Sequence, residues 1–93
     1  MTRPIRILIA DDHTMVRQGL SQICNSEADM QVVGQAANGQ EACQLASQVE
    51  PDVVVMDINM PILDGVQATR YITEAQPKVG SFISFLDCRY HKC

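Results

Sequence analysis

The apolar positions along this chain alternate between two periods. Ile5–Ala10, "IRILIA", alternates briefly and then runs apolar, the pattern of a strand buried on both faces. "DDHT" follows as a helix-start signal and places the first turn between Ala10 and Thr14. Val16, Leu20, Ile23 and Cys24 then recur at i, i+4, i+7 and i+8, which is one helical face, until the turn formers of residues 25–29 end it. Met30–Ala36 reads as a second strand, and Asn38-Gly39 opens a helix whose Ala42, Leu45, Ala46 and Val49 share a face before Pro51. Val53–Met56 is the third strand; Ala68, Tyr71, Ile72 and Ala75 form a third helical stripe that stops before Pro77. Residues 82–86 begin a fourth strand and then give way to a charged tail.

Strands alternating with helices of about ten residues need crossovers between parallel strands, so the predicted fold is an α/β, doubly wound parallel sheet covered on both faces. With 93 residues the chain holds one small domain. Hydrophobic residues at 46% and charged residues at 19% are ordinary for a globular chain. A net charge of -4, with seven basic residues spread along the chain, excludes a dedicated nucleic-acid face, because phosphate contacts need clustered Lys and Arg. The apolar runs are far too short to span a bilayer, and the expected location is cytoplasmic.

Cys24 and Cys43 fall within helical patterns at apolar positions and read as reduced core residues. Cys88, His91 and Cys93 in the tail supply three soft ligands where a structural zinc site takes four, so an unpacked terminus is the preferred reading.

The chemistry gathers at strand ends. In an open parallel sheet, ligands bind beyond the carboxyl ends of the strands, where the strand order reverses. Asp11 and Asp12 follow the first strand and Asp57 ends the third, so if those strands are neighbours three carboxylates converge. Like charges so close repel unless a cation neutralises them, and hard oxygens with room for water suit Mg²⁺. Singly, each residue has a plainer role: Asp12 as a helix cap, Asp64-Gly65 as a turn, Asn59 to Pro61 as a loop. Together they form a constellation that capping does not require, with Asp57 a candidate phosphoacceptor, since carboxylates form acyl phosphates.

"ILIADDHTMVRQGL" and "DVVVMDINMPILDGVQATR" resemble the receiver domain of bacterial two-component response regulators, and the Asp-Asp-His start resembles the NarL/FixJ (LuxR-type) transcription regulators. The resemblance implies a flavodoxin-like (CheY-like) fold with strand order 2-1-3-4-5 and phosphorylation at Asp57. It also implies Mg²⁺ held by the side chains of Asp12 and Asp57 and the backbone carbonyl of Asn59, with Asp11 acting through water. The donor would be a sensor histidine kinase or a small acyl phosphate, the domain itself not an enzyme. His13 takes a helix-start role, and the parent regulator would bind DNA through a domain outside this chain.

The likeness runs to about Val79, which divides the chain into a partial receiver domain, residues 1–79, and a divergent segment, residues 80–93, as though the remainder had been replaced. The family's Ser or Thr at the end of the fourth strand falls by count on Phe85, with Ser84 one place early, and a one-residue slip turns a strand side chain to the opposite face. No counterpart of the family's fifth-strand Lys follows. The expected function is therefore an incomplete, impaired phosphoacceptor module. A self-associating homo-oligomer, built through exposed edge and helix faces, is the second reading. A Mg²⁺-dependent phosphatase is the third, disfavoured because Asn59 stands where those enzymes carry a second acid.

Overall fold

The computed structural model describes residues 3–57 and 65–83. Chain order is β1 (Ile5–Ala10), α1 (Thr14–Asn25), β2 (Met30–Ala36), α2 (Gly39–Val49), β3 (Val53–Met56), α3 (Gly65–Ala75) and β4 (Gly80–Ile83). The four strands are parallel, in spatial order β2-β1-β3-β4. This is the doubly wound parallel sheet that the alternating pattern predicted, in the flavodoxin-like order that the family resemblance implied.

Right-handed crossovers decide which face each helix covers. The chain moves one way from β1 to β2, then reverses across β1 to β3, and continues the same way to β4. α1 therefore lies on one face of the sheet, and α2 and α3 on the other. Packing agrees: Ala42 and Ala46 of α2 and Ala68 and Ile72 of α3 join Leu8, Ala10, Val54 and Met56 in one buried cluster. Cys43 and Leu45 pack at its margin. The Cys43 thiol reaches the Ala68 carbonyl at 3.8 Å, and burial pushes its pKa up.

Helix ends follow local chemistry. Asn38 caps α2 by accepting from the Glu41 N–H at 2.8 Å, and Glu41 reaches back to the Ala37 N–H at 2.9 Å, two donors satisfied reciprocally. α2 closes with Glu50 in the left-handed region, φ 48°, just before Pro51. Between Ile7 and Leu8 the β1–β2 register shifts, so that Leu8 pairs with Gly34. A Cβ at Gly34 would meet Leu8 Cδ1 at 3.1 Å, which explains a glycine in mid-strand.

Three expectations need correction. Ile23, assigned to the inner stripe of α1, is 64% exposed, while Ser21 is buried and donates its hydroxyl to the Arg17 carbonyl at 2.8 Å. Val16, Arg17, Leu20 and Cys24 are all half-buried, and Ser21 is the buried residue of the helix. In α3, Tyr71 is 61% exposed and Ala75 is exposed; Ala68 and Ile72 alone anchor that helix in the core. The fourth strand starts at Gly80 rather than residue 82, because pairing with β3 recruits Gly80 and Ser81, residues of poor strand propensity. Residues 84–86 of the expected strand lie outside the described residues.

At the amino end of the sheet Asp52 ties β1 to β3. Its carboxylate accepts from the Arg6 N–H and from the Arg3 guanidinium, both at 2.9 Å. The Arg6 backbone hydrogen bond, with the nearby Arg3 and Arg6 charges, holds its pKa below the ordinary carboxylate value. A lowered folded-state pKa contributes stability above the unfolded value, lost as the pH falls through the folded one. Asp52→Ala is therefore expected to lower the melting temperature at neutral pH. The gap from the parent should close as the pH drops below about 3.9, which thermal melts of both chains across acid pH will show. A gap that persists in acid would locate the effect in packing rather than charge.

Candidate functional site

β1 and β3 are hydrogen-bonded neighbours, with Ala10 opposite Met56, so the next residue of each chain segment, Asp11 and Asp57, leaves the same edge side by side. This edge is the topological switch point, with β2 reached in one direction and β4 in the other. The backbone holds both acids in place: the Asp57 N–H donates to the Ala10 carbonyl at 2.9 Å, and the Asp11 N–H to the Ala36 carbonyl at 3.0 Å. Four apolar residues in β3 thus keep the carbon skeleton of Asp57 from moving, and its side chain is 1% exposed.

Asp12 lies further out, its side chain one-third exposed. Ligand atoms of Asp11, Asp12, His13 and Asp57 all lie within 4.8 Å of one another. Two of the three carboxylates are almost fully buried, an arrangement whose mutual repulsion calls for positive charge.

His13 is the N-cap of α1, in keeping with its expected helix-start role, yet its side chain makes no capping hydrogen bond. Its ring turns back to the acids instead: Nδ1 stands 2.8 Å from Asp11 Oδ1, 3.1 Å from Asp12 Oδ1 and 3.6 Å from Asp57 Oδ2. Asp11 Oδ1 also accepts the His13 N–H at 2.8 Å, which sets the turn from β1 into α1. Arg17, one turn into α1, donates Nη1 to the Asp11 carbonyl at 2.7 Å. Sequence reasoning gave Arg17 no role; its place four residues after His13, on the helix that follows the acidic pair, is the signal that could have found it.

Asp11, Asp12 and Asp57 are thus brought together as expected. Asn59 and Ser84, the other two sequence-derived site residues, lie outside the described residues, as do Cys88, His91 and Cys93. A cleft of about 410 Å³ between Glu50, Pro51, Asp52 and Gln76 to Val79 sits at the amino ends of β3 and β4, away from the carboxylates.

An acidic pair and a buried strand-end aspartate at the switch point of a doubly wound sheet define a phosphoacceptor-type α/β domain. The chain belongs to the response regulator receiver domain family, matched over residues 7–84, and is a receiver domain of the kind found in two-component signalling. It is 41% identical over 85 residues to the transcriptional regulatory protein LiaR of Bacillus subtilis, an alignment taking in 89% of this chain and 40% of that protein. A LuxR-family two-component response regulator from Aurantimonas sp. SI85-9A1 superposes with TM-score 0.81 at 35% identity, over 86% of this chain and 57% of that one. A chain of the CheX-CheY-BeF3-Mg²⁺ complex from Borrelia burgdorferi superposes with TM-score 0.82 at 30% identity, over 87% of this chain and 61% of that one.

The likeness to LiaR and to the LuxR-family structure agrees with the NarL/FixJ-type start of the sequence. Protein-glutamate methylesterases also match, over 24% of the length of one and 18% of another, so the likeness extends to enzymes as well as regulators. This chain spans well under half the length of its curated regulator relatives. Among the described residues no helix is long and apolar enough to cross a membrane.

Proposed function

We propose that Asp57 is the phosphoacceptor of a cytoplasmic, Mg²⁺-dependent phosphorelay module, itself without turnover activity, that takes its phosphoryl group from a sensor histidine kinase. The observation that carries this reading is the convergence of Asp11, Asp12 and Asp57, two of them buried, on one point at the carboxyl edge of β1 and β3. The donor set fits the ion: hard carboxylate oxygens, one of them partly exposed, leave room for the waters Mg²⁺ retains. Asp12 and Asp57 would hold it directly, with the Asn59 carbonyl, and Asp11 through water. Bound there, Mg²⁺ neutralises the facing carboxylates and shields the charge of an incoming phosphoryl group.

The chain's own part is positioning. A carboxylate oxygen of Asp57, fixed by the β3 backbone, attacks phosphorus in line; a C–O–P linkage forms as the P–N bond of a phosphohistidine breaks, its electron pair leaving on the imidazole. Ser84 is proposed as the hydroxyl donor to that phosphoryl group. What supports this is that Ile83, the residue before it in sequence, pairs with Met56, the residue before Asp57. Acyl phosphate with Mg²⁺ followed by intact mass tests the reading: one added phosphoryl group is expected, and none, with Mg²⁺ saturating, overturns it.

Association of two copies is the second reading, favoured by Met15 and Ile23 of α1, 85% and 64% exposed, and by β4 at the edge of the sheet among the described residues. Size-exclusion chromatography with light scattering is expected to give a mass above one chain at micromolar concentration. A clean monomer there would exclude it. Attachment to a DNA-binding domain in a parent regulator, as the name of LiaR suggests, belongs to this proposal as well.

A further inference from the structure

Helix stability alone does not call for Arg17. It is the fourth residue of α1, close to the positive end of the helix dipole, where a cation is unfavourable. Nor does it pair with the acids nearby: among the described residues, the ion pairs of the carboxylate cluster are all made by His13. Arg17 is half-buried, and its side chain runs back toward the amino end of the helix, as long helical side chains do. There Nη1 donates to the backbone carbonyl of Asp11 at 2.7 Å. That carbonyl lies one residue beyond β1, past the last ladder pairs of Ala10 with Ala36 and Met56.

The gripped carbonyl belongs to the peptide unit that joins Asp11 to Asp12. Asp11 is fixed independently, by its own N–H on the Ala36 carbonyl and by its carboxylate on the His13 N–H, and Asp57 by its N–H on the Ala10 carbonyl. Asp12 lies outside the strand, its side chain one-third exposed and 3.1 Å from the His13 ring. Its place therefore depends on the plane of the Asp11–Asp12 peptide, which Arg17 holds with a charge-assisted hydrogen bond, the stronger kind.

We propose that Arg17 is a positioning residue for the cation site: by holding the Asp11 carbonyl it presets the Asp12 carboxylate for Mg²⁺ and so sets the affinity for the ion. The inference rests on the metal-site reading above and deepens it by naming what orients the most exposed of the three acids. A ligand already oriented loses little freedom when an ion binds, whereas a loose one is ordered at the expense of affinity. Asp57, the attacking group, is fixed from β3, so the chemical step with the ion in place is indifferent to Arg17.

The test is calorimetric titration of the full chain with Mg²⁺, beside the rate of phosphoryl uptake from an acyl phosphate at saturating Mg²⁺, followed by intact mass. Arg17→Met keeps the unbranched stem and drops the donors; it is expected to weaken Mg²⁺ binding about tenfold or more and to leave the saturated rate within about twofold. Arg17→Lys keeps a charged donor and should bring the affinity back to within about threefold of the parent. Mg²⁺ binding by Arg17→Met within about twofold of the parent overturns the proposal, whatever the urea midpoint of that variant does, because a merely structural arginine would move the midpoint alone. A saturated rate that stays depressed also overturns it, by putting Arg17 in the phosphoryl-transfer step, as does a Lys variant that binds as weakly as Arg17→Met. If Arg17→Met fails to fold, Arg17→Gln is judged by the same two measurements. Asp12→Asn separates the two readings. If it weakens Mg²⁺ binding while Arg17→Met does not, the carboxylate site stands and only the Arg17 inference falls; if the parent chain binds no Mg²⁺, both fall.

Discussion

Asp57→Asn is expected to abolish phosphoryl uptake completely while leaving the fold intact. Asparagine matches aspartate in shape, and the hydrogen bond that anchors position 57 comes from its backbone N–H to Ala10, so β3 keeps its register. What disappears is the nucleophile, because an amide oxygen does not form a stable acyl phosphate. The same substitution removes one of two almost fully buried negative charges, so the variant without Mg²⁺ should be more stable than the parent. The parent should gain about 2.7 kcal/mol when Mg²⁺ is supplied at a hundred times its dissociation constant, and the variant little. Intact mass after acyl phosphate treatment, with urea melts at two Mg²⁺ concentrations, checks both parts. A phosphoryl group retained on the variant would move the acceptor to another residue.

Met56→Ala is the substitution expected to cost most in stability. Met56 is fully buried, sits one residue before Asp57, and belongs to the cluster shared by β1, β3, α2 and α3. Truncating a buried methionine costs about 2–5 kcal/mol through lost burial and the cavity left behind. Domains of this size are held by only about 5–15 kcal/mol, so a large fraction of the chain should be unfolded at physiological temperature. Met15→Ala, at a site 85% exposed, should fall within about 0.5 kcal/mol of the parent. Urea midpoints of the two variants compare them directly, and equal effects would place the core elsewhere.

Several parts of this architecture are legible in one dimension because they rest on local chemistry. Val53–Met56 is short, apolar and β-branched, so it reads as a strand whatever surrounds it. Asn38 with Glu41 announces the start of α2, and Pro51 its end. The pairing of Asp11 and Asp12 with Asp57 was legible as a hypothesis, since each follows a strand pattern; their meeting depended on β1 and β3 being adjacent.

Other features were not legible, because they depend on what covers each face. Ile23 and Tyr71 fit the helical period yet are exposed, since period identifies a face without saying how wide a neighbouring surface covers it. Ser21 is buried because its hydroxyl finds the Arg17 carbonyl one turn back, a partner that makes a polar residue acceptable inside. The start of β4 at Gly80 came from pairing with β3, against the propensity of glycine and serine. The ring of His13 lies beside the carboxylates because Asp11 Oδ1 meets both its backbone N–H and its Nδ1, a contact made within the folded turn.

By itself, then, the sequence determined the alternation of strands and helices, the acids at two strand ends and the family to which the motifs belong, since each depends on residue type and spacing along the chain. Tertiary structure decided that Asp11 and Asp57 are buried together and that His13 faces them, and it realised the adjacency of β1 and β3 that the family resemblance implied. The reason is physical: strand order comes from reversing the winding direction at β2, and it joins residues 46 positions apart through backbone hydrogen bonds that no local pattern encodes.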